Sequence, residues 1–171
     1  DLYKFFSKSK GVKKMIKNGS KAMSQILPLI NNMKRLCNHP KLIWDSLNNK
    51  DKSFRWKGCQ SLFPEEFQKF PAHPRYSGKL DVLDRLLRTI KAKTDDRVVL
   101  VSNYTQMLDV FEEMAKLRKW GCIRLDGSIQ VKNRDKLVKE LDDRKNNKFL
   151  FLLSSKAGGC GLNLVGANRL V

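Results

Sequence analysis

The chain has 171 residues, 41% of them hydrophobic, and carries a formal net charge of +18 from 35 Lys+Arg against 17 Asp+Glu. That length holds one domain with a real core plus an appendage, and the charge favours polyanions, most simply nucleic acid. Cys37, Cys59, Cys122 and Cys160 are irregularly spaced with no Cys-x-x-Cys pair, and the longest apolar runs are far too short for a bilayer; a disulfide framework and a membrane span are therefore excluded.

The charge is uneven: residues 1–60 hold 14 basic and 3 acidic side chains, residues 61–171 hold 21 and 14. Residues 2–17 interleave lysines with Leu2, Phe5, Phe6, Val12 and Ile16, which suits a basic helical arm. Gly19 breaks it and Ser20 can cap the next helix. That helix is expected from about Ala22 to Cys37, with Met23, Ile26, Leu27, Ile30 and Met33 at helical spacing. Pro28 predicts a kink or a break, and Pro40 a stop at Asn38-His39. Residues 45–76 follow no single period, yet hold Phe54, Trp56, Phe63, Phe67 and Phe70 beside Pro64, Pro71 and Pro74. So many aromatics argue against a free linker, so a long connector lying on a folded surface is expected.

From Ser77 onward helices and strands alternate. Leu80, Leu83, Leu86, Leu87 and Ile90 give a helical stripe, and Val98–Val101 a buried strand. Met107, Val110, Phe111, Met114 and Leu117 give a second stripe, and Cys122–Leu125 a strand ending in an Asp-Gly turn. Val131, Leu137, Val138 and Leu141 mark a third helix, Phe149–Leu153 a third strand, Cys160–Val165 a short helix and Arg169–Val171 the start of a last strand. This alternation predicts an α/β fold with a parallel sheet. The final apolar run reads as a sheet that further sequence would continue.

If the strands are parallel, three polar clusters share one sheet edge: Ser102-Asn103-Tyr104-Thr105, Asp126-Gly127-Ser128 and Ser154-Ser155-Lys156. Hydroxyls, amides, a lysine and backbone N–H groups there could hold phosphates without reading bases. Ordinary helix capping by Ser, Asn and Asp is the alternative for each cluster alone. The loop Gly158-Gly159-Cys160-Gly161 is no Walker A loop, because no Gly-Lys-Ser/Thr follows. Nor is it a dinucleotide fingerprint, since its next glycine, Gly166, comes late. Cys37-Asn38-His39 is poor metal spacing; a buried cysteine and a histidine bonding a helix end fit it better. His73, between two prolines, has no evident partner. No nucleophile–base pair stands out, so no catalytic residue and no metal ligand is assigned.

The strings Lys34-Arg-Leu-Cys-Asn-His-Pro40, Ser77-Gly-Lys-Leu80, Val98-Val-Leu-Val-Ser102, Arg124-Leu-Asp-Gly127 and Ser154-Ser-Lys-Ala-Gly-Gly-Cys-Gly-Leu-Asn-Leu164 occur in that order. Together they resemble the Swi/Snf-type DNA translocases of the second helicase superfamily. The fuller strings around Ser102 and Ser154, with Leu62-Phe63-Pro64, are similar to its homologous-recombination repair branch, which partners a RecA-like recombinase.

The resemblance implies a truncated RecA-like helicase lobe two at 77–171, after a basic helical segment at 1–44 that leads from lobe one and a connector at 45–76. It implies DNA contacts at Ser102, Asn103, Arg124, Asp126, Gly127, Ser154, Ser155 and Lys156. It implies that Gly159, Gly161 and Asn163 face the nucleotide. In the full-length parent it implies ATP and Mg2+, double-stranded DNA, the first RecA-like lobe, a recombinase filament and a nuclear location. The phosphate-binding loop and the arginine motif are not in this sequence, so this stretch alone is expected to hydrolyse no ATP and to require no cofactor. A chromatin remodeller of another branch, a non-catalytic DNA-binding module and a Rossmann-type oxidoreductase are the rival readings.

Overall fold

The computed structural model describes residues 2–17, 23–48, 58–158 and 162–171. The chain divides into two compact units, Asp1–Leu80 and Asp81–Val171. No described helix is long and apolar enough to cross a membrane. The expected break at Gly19, the cap at Ser20, and Phe54, Trp56, Gly159, Cys160 and Gly161 lie outside the described residues.

The first unit begins with α1 (Leu2–Lys8) and α2 (Lys10–Lys17), which bury Phe6 and Val12. The helix α3 (Met23–Asn38) continues through Pro28, so the expected break does not occur. The missing proline N–H removes one backbone bond, while Ile26, Met33 and Leu36 keep an apolar face half-buried. A further helix, α4 (Lys41–Asn48), follows at once. Pro40 stops one helix and opens the next, because a proline at a helix start lacks only an N–H that would have no partner anyway.

Residues 58–76 are more than a surface connector. A 3-10 turn at Gln60–Leu62, the short helix α5 (Glu65–Lys69) and a second turn at Pro74–Tyr76 carry aromatic rings into the unit's own core. Phe67 lies 4.9 Å from Phe63, 5.7 Å from Trp44 and 4.7 Å from Tyr76 between ring centroids, all tilted or edge-to-face. Such pairs add stabilisation beyond their buried area. Phe6, Ile43 and Cys59 complete the cluster.

The motif histidine His39 is buried here. Its Nδ1 accepts from the Lys41 backbone N–H at 3.1 Å, which caps α4, so Nε2 carries the proton and donates to the His73 carbonyl at 3.3 Å. Burial lowers its pKa to about 4, more than the bond to His73 raises it. His73-Pro74-Arg75 repeats the device, its Nδ1 accepting from the Arg75 N–H at 3.2 Å. The expectation for Cys37 fails: it is exposed, on the outer face of α3. Asn38 joins two of the sequence motifs. Its carbonyl accepts from the Ser77 hydroxyl at 2.7 Å and its side-chain oxygen from Lys79 Nζ at 3.0 Å.

The second unit is the α/β part. Its described elements are α6 (Gly78–Lys93, starting in the first unit), β1 (Val98–Ser102), α7 (Thr105–Leu117), β2 (Gly121–Leu125), α8 (Val131–Asp142), β3 (Lys148–Ser154) and β4 (Arg169–Leu170). The four strands form one sheet in the order β2-β3-β1-β4, with every pairing parallel. Both faces are covered, which is why β3 is apolar almost throughout and buried from Phe149 to Ser154. Val99, Ile123, Leu125, Phe151 and Leu153 meet Leu137 and Leu141 of α8 on one face. The alternate residues serve the other face, where α7 packs on β1, β2 and β3 through Met107, Leu108, Val110, Phe111 and Met114. Asp84, buried on α6, accepts from Arg118 at 2.9 and 2.6 Å and fixes α6 to the end of α7. The short helix expected at Cys160–Val165 is absent among its described residues: Leu162–Leu164 are irregular and Val165–Gly166 turn. Leu162 and Leu164 pack on the α8-side core as single apolar anchors, without helical spacing.

Candidate nucleic-acid interface

The register gathers the three polar clusters at the carboxyl edge of the sheet. Ser102 pairs with Ser154 at the ends of β1 and β3, and Leu125, which precedes Asp126, pairs with Leu153, which precedes Ser154. Parallel pairing forces this, because every strand then delivers its C-terminal residues to the same rim.

Within the rim, some groups brace the turns and others face water. The Ser154 hydroxyl accepts from the Ala157 N–H at 3.2 Å, and its carbonyl from the Ala157 and Gly158 N–H groups at 3.0 Å each. The Ser102 hydroxyl accepts from the Tyr104 N–H at 3.1 Å, and its carbonyl from the Ser155 N–H at 3.1 Å. These bonds shape the turns that leave β1 and β3. Asn103, Gly127, Ser128, Lys156 and Asn163 are exposed, and Ser155 is half-buried. Gly158 sits where an added Cβ would come within 2.9 Å of the Leu153 side chain, so the turn after Lys156 approaches β3 closely.

Asp126 is a different kind of group. One carboxylate oxygen accepts from the Ser128 N–H at 2.9 Å and the Ser128 hydroxyl at 2.6 Å; the other accepts from Arg124 Nε at 2.7 Å. The Ser128 bonds above all, then Arg124, hold its pKa below the usual carboxylate range. An ionised carboxylate repels phosphate, so Asp126 suits the shaping of its turn rather than direct contact. Arg124 in turn meets Asp109 at 2.5 Å and Glu112 at 3.3 Å, both on α7. Burial opposes its charge, but the bonds it donates to Asp109 and Asp126 outweigh that and raise its pKa.

Two further residues act from opposite ends of α8. Arg134 donates to the Ala157 carbonyl at 3.1 Å and braces the rim, while Asp142, eight positions on and at the other edge of the sheet, accepts from the Gly166 N–H at 2.7 Å. Gly166 is pressed on the end of α8, where an added Cβ would lie 2.7 Å from the Leu141 carbonyl oxygen. Sequence reasoning missed both; Arg134 stands inside the helix predicted from Val131, but only the fold aims it at the turn. Among the described residues no three His, Cys, Asp or Glu side chains come together as metal ligands.

The helicase conserved C-terminal domain family matches residues 78–171. The chain belongs to that family. Over 171 aligned residues, 99% of the chain, this helicase domain chain is 46% identical to the DNA repair and recombination protein RAD54-like of Drosophila willistoni, covering 22% of that protein. It is 46% identical over 180 aligned positions to the DNA repair and recombination protein RAD54 of Oryza sativa subsp. japonica, again with 99% of the chain and 18% of the relative covered. The chain thus spans about a fifth of the length of these curated relatives. The Sulfolobus solfataricus SWI2/SNF2 ATPase core in complex with dsDNA shares its fold, with a TM-score of 0.68 at 19% identity, covering 99% of this chain and 31% of that one. The Swi/Snf-type resemblance and the RecA-like helicase C-terminal lobe read from the sequence are both borne out.

Proposed function

We propose that this chain is the second motor lobe of an ATP-dependent translocase on double-stranded DNA, acting in homologous-recombination repair and in the remodelling of chromatin and recombinase filaments. One observation carries the DNA reading: three strand ends converge on a rim of exposed amides, hydroxyls and a lysine in a chain of charge +18. The names of the relatives and the duplex bound by the solved Swi/Snf core support it.

In this reading Asn103, Gly127, Ser155 and Lys156 meet backbone phosphates, while Ser102, Asp126 and Ser154 hold their turns in shape. Such contacts position a duplex without reading its sequence. Gly159, Gly161 and Asn163 face the nucleotide. Residues 1–44 lead from a first RecA-like lobe, residues 45–76 connect, and residues 77–171 form the second lobe. The residues present do not make an ATP–magnesium site by themselves, since the sequence lacks a Gly-x-x-x-x-Gly-Lys-Ser/Thr loop. ATP and Mg2+ are therefore assigned to a cleft shared with the first lobe. A nuclear location follows from the repair role.

The test is duplex binding by the chain across unrelated sequences and a range of salt. Lys156→Ala is expected to weaken binding about two- to fivefold, equally on every sequence, and to reduce the salt slope by about 0.9, as one lost phosphate contact should. Unequal loss between sequences would contradict phosphate recognition. DNA-stimulated ATP hydrolysis by the pure chain would contradict the assignment of the ATP-binding groups.

A further inference from the structure

Of the two rim cations at strand ends, Lys156 is exposed and Arg124 is already occupied. The Arg124 side chain is 26% exposed, and its guanidinium lies among three carboxylates. They differ in kind. Asp126 is buried and bound to Ser128, a fixed part of the turn. Asp109 and Glu112 stand on the outer part of α7, with side chains 51% and 33% exposed. Glu112 also has a second cation, Lys116, at 3.3 Å.

We propose that Asp109 and Glu112 are resident stand-ins for DNA phosphate, holding Arg124 until a backbone phosphate displaces them. The proposal rests on the rim reading above and goes beyond it by naming the groups that compete with the ligand. Three features carry it. First, the guanidinium is already oriented by its Nε bond to Asp126, so its Nη edge is the part left for an oxygen anion. Second, carboxylate and phosphate oxygens offer a guanidinium the same acceptor geometry. Third, Asp109 and Glu112 are far more open to water than Asp126, so their pairing with Arg124 is the more screened and the more readily exchanged, whereas buried Asp126 stays in place. Arg124 would then be a contact made by exchange and Lys156 one made directly.

The experiment is a double-mutant cycle on duplex binding, read by fluorescence anisotropy at several salt concentrations. The variants are Asp109→Asn/Glu112→Gln, Arg124→Gln and the three changes combined. Removing the two acids is expected to raise affinity and to steepen the salt slope by about one. Of that rise, about two- to fivefold is expected to vanish when Arg124 is Gln, the effect of an exposed ion pair. An equal gain with and without Arg124 would mean bulk charge only, and a loss of affinity would mean that the acids merely position the arginine; either overturns the proposal. No duplex binding by the wild-type chain would instead overturn the rim reading, and the exchange with it. If Arg124→Gln fails to fold, the Nε–Hε resonance of Arg124, assigned by its absence in Arg124→Lys, decides the matter. It is expected to shift as duplex is added, and an unmoved signal overturns the exchange.

Discussion

The two units solve the problem of core building in opposite ways. The second unit buries continuous apolar strands between two helical layers, so each core residue is dictated by period and register. The first unit gathers rings from helices, turns and irregular chain around Phe67, and fixes the chain with histidine caps. The periodic core delivers its strand-end polar groups to one edge, where they become available to a ligand. The aperiodic core uses histidine rings as fasteners, and buried His39 makes it sensitive to charge state.

The largest effect that sharpens this contrast is cavity creation. Phe151→Ala, at a fully buried position on β3, is expected to cost about 3–5 kcal/mol in denaturant unfolding. Hydrogen exchange should place the loss in the amides of β1, β2 and β3. An equal loss of protection in α3 and α4 would erase the distinction between the two cores.

Next comes pH. His39 is kept neutral in the folded state with a pKa of about 4, against 6.5 when unfolded. The unfolded chain therefore binds the extra proton first as pH falls. Stability is full above 6.5 and declines between 6.5 and about 4, by roughly 3 kcal/mol in all. His39→Asn keeps an oxygen to accept from the Lys41 N–H and is expected to flatten that slope. A slope unchanged by the substitution would remove the histidine fastener from the account.

The smallest is local. Gly166→Ala would drive a Cβ onto the Leu141 carbonyl and Asp142, and is expected to cost about 1–3 kcal/mol. A neutral substitution, measured by thermal unfolding, would mean that the segment before β4 is not held on α8.

The contrast also explains what could be read from the residues alone. The β-branched run at Val98–Val101 and the apolar run at Phe149–Leu153 announced central strands, because both faces of a parallel strand are covered. Parallel alternation alone delivers Ser102, Asp126 and Ser154 to one edge. The helix at Lys41–Asn48 is hard to see in the sequence because Pro40 signals a stop, though a proline both ends one helix and opens another. The aromatic stretch escaped because ring packing leaves no period in a sequence. The helix expected at Cys160–Val165 failed because Leu162 and Leu164 are anchors in irregular chain. Least legible were the partners of Arg124. Asp109 and Glu112 lie 15 and 12 residues away, and only the crossover that lays α7 over β2 brings them together.

The account stands on the carboxyl edge of the sheet as the surface that holds a duplex. Backbone amide shifts of the chain, followed as an unlabelled duplex is titrated in, test it most directly. The expected result is movement concentrated at residues 102–105, 126–128 and 154–158, with Asp95, Trp120 and Asn147 at the opposite edge unmoved. Shifts centred on that opposite edge, or none at either, would contradict it.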